Sequence, residues 1–370
     1  MAGEMVLTII INKRSVIDMT RHSRLPSRRL LTPLAGGAML AGGAMVLAGC
    51  ASPAASDEAG EGGPAIVATT TQVGDFTQEL LGDGADFTQL LAPGQSAHGF
   101  DPSAAQLLAL SNADALVVNG AGLESWLDDA ISASGFDGEL IDASTGIELF
   151  TTEDEQAHDD EDAATDDHDD HGDEEGGQGE GNPHIWTDPE LAEHMVENIA
   201  DGLRDVSGVD AAALEGNETA YLGKLDALDT WIEESVAQVP VEQRLLVTNH
   251  DAFTYFVDAY GITFVGSVIP SFDDNAEPSA AEIDDLVAKI SATGVKAVFS
   301  EASISPKTAE TIAAEAGVTV YSGPDALYGD ALGAEGTDGA TYLTSQEHNA
   351  RLILESWGVE PSALPAALQG

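Results

Sequence analysis

The 370-residue sequence predicts an α/β protein of two lobes with mainly parallel sheets, joined by one long backbone helix. Three observations carry that expectation. Apolar, β-branched runs alternate with helix-spaced segments over 65–142, the alternation resumes over 244–321, and between them 210–238 reads as one uninterrupted helix. Short strands that alternate with helices need crossover connections, and crossovers produce parallel, helix-covered sheets.

Taken in order, 65–71 is β-rich, 76–81 is helical and 87–91 is a short strand. A helix over 102–111, a strand over 115–119, a helix over 123–134 and a strand over 139–142 complete the first lobe's alternation. After Pro189 the chain reads as helix to 206, and then as the long 210–238 helix, which at 1.5 Å per residue spans roughly 40 Å. Beyond Pro240 come strand 244–248, helix 252–260, strand 263–268 and helix 280–293. Strand 297–300, helix 306–316, strand 319–321 and a closing helix over 340–357 follow. The organisation predicted is a first lobe over 65–205, a linking helix over 206–239 and a second lobe over 240–370, with a binding cleft between the lobes.

Residues 1–49 are of another kind. An apolar Gly- and Ala-rich run over 34–47 follows Arg21, Arg24, Arg28 and Arg29 and ends in Leu47-Ala48-Gly49-Cys50. Small residues before the cut and a thiol after it are what a lipoprotein signal needs, and Cys50 is the chain's single cysteine, so no disulfide can form within it. Cys50 is therefore the expected lipidation point, and 50–64, with nothing to bury, is a flexible tether. Residues before Met19 add nothing such a signal uses, which points to an upstream start codon, and Ser27-Arg28-Arg29-Leu30-Leu31 leaves the Sec and twin-arginine routes both open. The whole chain carries a formal charge of -52, and removal of 1–49 leaves 7 basic and 63 acidic residues, a charge of -56. That balance disfavours nucleic acid and anionic lipid surfaces as partners. An export address makes the cell membrane's outer, extracytoplasmic face the expected location.

The histidines concentrate the chemistry. His98, His184 and His250 each sit where the chain leaves a predicted strand or enters a helix, the place where open α/β sheets bind ligands, and Asp330 lies in the loop after the last strand. Neutral imidazoles and one carboxylate suit zinc, which asks for about four N, O or S donors near 2.0 to 2.2 Å, and a shell filled by side chains points to carriage and not catalysis. His194 and His348 read as structural. The tract 153–180, with 15 acids and with His158, His168 and His171 among 28 residues, cannot fold alone and reads either as an auxiliary metal loop or as an acidic spacer.

The segments Ala97-His98-Gly99-Phe100-Asp101-Pro102-Ser103, Asn182-Pro183-His184-Ile185-Trp186-Thr187-Asp188-Pro189 and Asn249-His250-Asp251-Ala252-Phe253-Thr254-Tyr255-Phe256 resemble the three histidine motifs of the zinc and manganese ABC transporter solute-binding proteins, the cluster A-I metal-binding lipoproteins. The likeness runs on through Glu277-Pro278-Ser279 and Phe299-Ser300-Glu301-Ala302-Ser303 to the Asp330 loop and a closing segment over 342–349, so it covers 65–357. It implies metal held between the lobes by His98 and His184 from the first and His250 and Asp330 from the second, delivered to a permease and its ATPase by a monomeric carrier. Histidine at 250, where manganese-selective members tend to carry glutamate, implies zinc over the alternatives manganese and iron(II). Rival readings are a metal-dependent adhesin, a metallochaperone or a zinc hydrolase, the last of which needs an open coordination position and a nearby base. Release through small loop or lobe shifts, and affinity that falls as pH drops through about 6 to 7, complete the expectation.

Overall fold

The computed structural model describes residues 63–151 and 181–369. The expected signal segment, Cys50, most of the tether and the tract that contains His158, His168 and His171 lie outside the described residues. In the first lobe, strands β1 (Ala65–Ala68), β2 (Asp86–Gln89), β3 (Ala115–Val118) and β4 (Glu139–Asp142) form one sheet in the order β2-β1-β3-β4, every pairing parallel. Val67, Ala68, Leu116 and Val117 are buried in its centre, as both-face coverage requires.

Helix α1 (Thr71–Leu81) begins five residues before the sequence expectation, because Thr70 caps it by accepting from the Val73 N–H at 3.3 Å. Its first turn, Thr71 and Gln72, is polar yet buried, which hides it from a reading based on apolar spacing. Helix α2 (Ala104–Ser111) is opened by a capping box of Ser103 and Gln106. Helix α3 (Leu127–Ser134) starts four residues later than 123, since 119–122 is a turn with Gly120, Ala121 and Gly122 at positive φ. The buried Glu124 carboxylate organises that turn by accepting from Asn119 N–H at 2.7 Å, Gly120 N–H at 3.1 Å and the Thr69 hydroxyl at 2.6 Å.

Helix α4 (Pro189–Arg204) packs on β4 so closely that Gly202 must lack a side chain, for a Cβ there would meet Ile141. The long helix α5 (Ala211–Val236) buries Leu214, Tyr221, Leu225, Leu228, Trp231, Ile232 and Val236 and turns most of its acidic residues to solvent.

The second lobe holds β5 (Leu245–His250), α6 (Thr254–Ala259), β6 (Thr263–Ile269), α7 (Ala280–Thr293), β7 (Ala297–Phe299), α8 (Lys307–Ala316), β8 (Thr319–Tyr321) and α9 (Tyr342–Trp357). The strands pair in parallel as β5-β6 and β7-β8, with β5 alongside β7. A bulge at Leu246/Val247, opposite Gly266 with its φ of 146°, shifts the register so that His250 ends its strand opposite Ile269. One apolar core runs through both lobes and the long helix, joining Leu116, Leu225, Phe253 and Leu354, and a smaller core of Val265, Leu286, Val298 and Ile312 sits within the second lobe.

Several carboxylates are drawn into this packing. Burial pushes Asp75 on α1 up to about 6, even though Tyr342 N–H and Tyr221 O–H donate to it, and burial likewise pushes Asp188 to about 6. Glu193 is pushed to about 7 by partial burial and by the neighbouring carboxylates Asp226 and Asp229. Each has a folded-state pKa above its unfolded value, so the folded protein binds these protons more tightly and the destabilisation they cause is relieved as pH falls through 7 toward 5. The expected outcome is a metal-free melting temperature that rises from pH 8 to pH 5.5, followed by circular dichroism, with a shallower rise in Asp75→Asn.

Candidate metal centre

His98, His184, His250 and Asp330, far apart in the chain, are brought together, and one ligand atom from each lies within 4.8 Å of all the others. His184, His250 and Asp330 are buried, and only His98 keeps an exposed edge, its side chain 9% accessible. The Nε2 atoms of His98 and His184 are 3.3 Å apart and those of His184 and His250 3.2 Å. Asp330 Oδ1 stands 3.1 Å from both His184 Nε2 and His250 Nε2, and Oδ2 is 3.7 Å from His98 Nε2. Four donors at metal bonds of about 2.0 to 2.1 Å in a tetrahedron are separated by roughly 3.3 to 3.4 Å, so these spacings fit one divalent cation at their centre.

The local chain explains why each donor points inward. His250 terminates β5, and its N–H and Nδ1–H both donate to Glu301 Oε1, at 3.0 and 2.7 Å. Glu301 follows β7, where Leu327 bridges to it, and a Cβ on Gly329 would collide with its Oε2. His184 leads into a short 3₁₀ turn (Ile185–Thr187), and its Nδ1–H donates to Asn182 Oδ1 at 2.7 Å. Asn182 can only accept there, because its own Nδ2 donates to Asp251 O at 3.1 Å and Thr254 Oγ1 at 3.0 Å. Protons fixed on both Nδ1 atoms leave the Nε2 lone pairs facing the carboxylate, which is the tautomer a metal uses. His98 lies on the turn after Leu91, where Trp126 Nε1 donates to Ala97 O at 2.8 Å. Asp330 is carried by a loop whose Tyr328 exchanges hydrogen bonds of 2.8 and 2.9 Å with Asn349. With His184 and His250 as neutral Nδ1–H tautomers, no donor reaches either Asp330 oxygen, an arrangement that a buried carboxylate tolerates only beside a cation or a proton.

The buried imidazoles hold protons unequally. Burial lowers His184 to about 4, against the pull of Asp330. Burial opposes charge on His250 too, but Asp330 and Glu301 together outweigh it and hold this imidazole well above its ordinary value. Asp330 is kept well below the usual carboxylate range, its burial overcome by His250 and His184. Of the two, His250 is thus the imidazole that keeps its proton to higher pH, and His184 the one that stays neutral.

Sequence reasoning missed Glu301 and Asn182 as supports, although both stood inside quoted motifs. His194 sits exposed on α4, 3.4 Å from Glu197, and His348 Nε2 donates to Ala326 O at 3.0 Å, so neither joins the four-residue cluster. His250, expected after its strand at the mouth of a helix, instead ends the strand itself, with α6 starting four residues on.

The family profile described as "Zinc-uptake complex component A periplasmic" (ZnuA) matches residues 66–356. The manganese-binding lipoprotein MntA of Halalkalibacterium halodurans is 29% identical over 307 residues, 82% of this chain and 92% of that one. The zinc-binding lipoprotein AdcA of Streptococcus pneumoniae is 30% identical over 301 residues, 81% of this chain but 57% of the relative. Among solved structures, the periplasmic zinc binding protein TroA from Treponema pallidum superposes with a TM-score of 0.69 at 25% identity, covering 80% of this chain and 99% of that one.

Two outcomes follow from the geometry. Since a metal and a proton compete for His250 Nε2, affinity falls as pH drops, and calorimetry in two buffers of different ionisation enthalpy should find about one proton released per cation at pH 7 to 8. Glu301→Gln, which keeps the shape but loses the anion beside His250, should weaken zinc binding roughly 10- to 100-fold, read by competition with a chromophoric chelator.

Proposed function

The chain belongs to the family described as Zinc-uptake complex component A periplasmic, and we propose on that footing that it is an extracytoplasmic solute-binding protein that captures zinc for an ABC importer. The observation that carries the reading is the convergence of three imidazole nitrogens and one carboxylate on a buried point between the lobes. His98, His184, His250 and Asp330 are the proposed ligands. With four side chains supplying four donors, no position is kept for a reacting water, which favours carriage over hydrolysis.

Zinc is the cargo this donor set suits best. Nitrogen donors raise affinity along the divalent series toward zinc, whereas manganese is better served by oxygen. The MntA relative binds manganese by name and the AdcA relative zinc, so the manganese carrier is the specific alternative. Lipidation at Cys50 would anchor the carrier on the outer face of the membrane, and His158, His168 and His171 would gather metal near it. Its partners would be a permease and an ATPase, as a relative from Streptococcus cristatus is by name a metal ABC transporter substrate-binding lipoprotein. The continuous core through both lobes favours release by small shifts of loops or lobes over a wide hinge.

Elemental analysis of the purified soluble form, followed by zinc and manganese competition, tests the proposal. Zinc is expected at about one per chain and to displace manganese at equal concentration. Retention of manganese against zinc would select the alternative cargo. His250→Ala should weaken zinc binding by at least about 100-fold, and unchanged affinity would remove the assignment of the site.

A further inference from the structure

Asp330 belongs to the second lobe by sequence, yet the loop that carries it is hydrogen-bonded to the first. Gly329 O, one residue before the carboxylate, accepts from Gln72 Nε2 at 3.1 Å and from Trp186 Nε1 at 3.1 Å. Two residues after Asp330 on the chain, Leu332 N–H donates to Thr71 Oγ1 at 2.8 Å. Thr71 in turn donates to Gln72 Oε1 at 3.0 Å, which fixes the direction of the Gln72 amide so that its NH₂ faces Gly329. All of these groups are buried, with Gln72 and Trp186 each 1% exposed, so water does not compete for the bonds.

We propose that Gln72 is a positioning residue for Asp330, its amide holding Gly329 so that the carboxylate stays against His184. This rests on the reading of Asp330 as a metal ligand. The clasp accounts for the polar first turn of α1: Thr71 and Gln72 are buried because they grip the opposite lobe's loop. Trp186 adds a second N–H from the same lobe, and its ring lies 5.1 Å from that of His184, so one residue touches both the ligand ring and the ligand loop. The loop that carries Asp330 is thereby tied to both lobes, to the first through Gly329 and Leu332 and to the second through Tyr328 with Asn349 and the bridge of Leu327 to Glu301.

Gln72→Leu keeps the bulk and removes the donor, and Gln72→Asn keeps the amide but retracts it by one methylene. For both, zinc is expected to dissociate roughly tenfold faster in stopped flow against a chelator. The cobalt(II) d–d spectrum should also shift as the carboxylate changes its approach, with the metal-free melting temperature within about 2 °C of the parent. A wild-type dissociation rate and cobalt spectrum in both variants would overturn the proposal. So would a loss of affinity matched by a fall in the metal-free melting temperature, which would mark Gln72 as packing alone. Asp330→Ala separates the two levels. Parental zinc affinity in that variant defeats the ligand assignment and this inference with it, whereas a large loss there beside unchanged Gln72 variants defeats this inference alone.

Discussion

Lone pairs that face one another cannot be buried together for nothing. His98, His184 and His250 aim their Nε2 atoms at the Asp330 carboxylate inside a volume from which most water is excluded, and a cation or a proton must lie among them to offset the repulsion and the lost hydration. Coulomb attraction in so poorly screened a place is strong, which is the physical basis for tight capture of a divalent ion. The same arrangement makes the proton a competitor, and His250, flanked by two carboxylates, is where that competition concentrates.

Much of the surrounding structure serves to hold those donors in place. A free imidazole can rotate and exchange tautomers; here Asn182 and Glu301 each fix an Nδ1 proton, Asn182 with its own amide held by Asp251 O and Thr254 Oγ1, and Glu301 accepting from both the backbone and the ring of His250. The bulge at Gly266 sets the register that places His250 at the strand end, and the Glu124 turn sends Asn119 Nδ2 to Pro183 O at 3.1 Å, just before His184. Parallel sheets make this possible, because their strand ends line up on one edge and the following loops can meet there.

The parts of this design that follow local rules could be read from the residues. The alternation of strands and helices, the 280–293 helix and the 319–321 strand needed only apolar spacing, caps and glycines. The four converging side chains could be named because they fall in motifs of a known order, not because spacing of about 80 residues says anything about proximity. What stayed hidden was non-local or locally misleading. Glu301 lies 51 residues from His250 and Gln72 lies 257 from Gly329, so neither pairing leaves a mark on its own segment. The first turn of α1 looked unlike a helix because its buried residues are polar, and 123–126 looked like the start of a helix because apolar spacing does not see that Glu124 is a buried carboxylate turned back on Asn119 and Gly120.

The acidity of the chain bears on the site in two opposed ways. A formal charge of -52 raises the local concentration of any cation and speeds its arrival, but that field does not tell zinc from manganese or calcium. Selection has to come from donor type at the short range where hydration is stripped, and there nitrogen outnumbers oxygen three to one among the proposed ligands. The field also lowers stability where carboxylates crowd, as along α4 and α5, where Glu193, Asp226 and Asp229 repel one another. Those charges lie outside the four-donor cluster. Attraction over the surface and discrimination at the centre are therefore separate properties, set by different residues, and a change of cargo would require new donors in the cluster while the acidic surface could stay as it is.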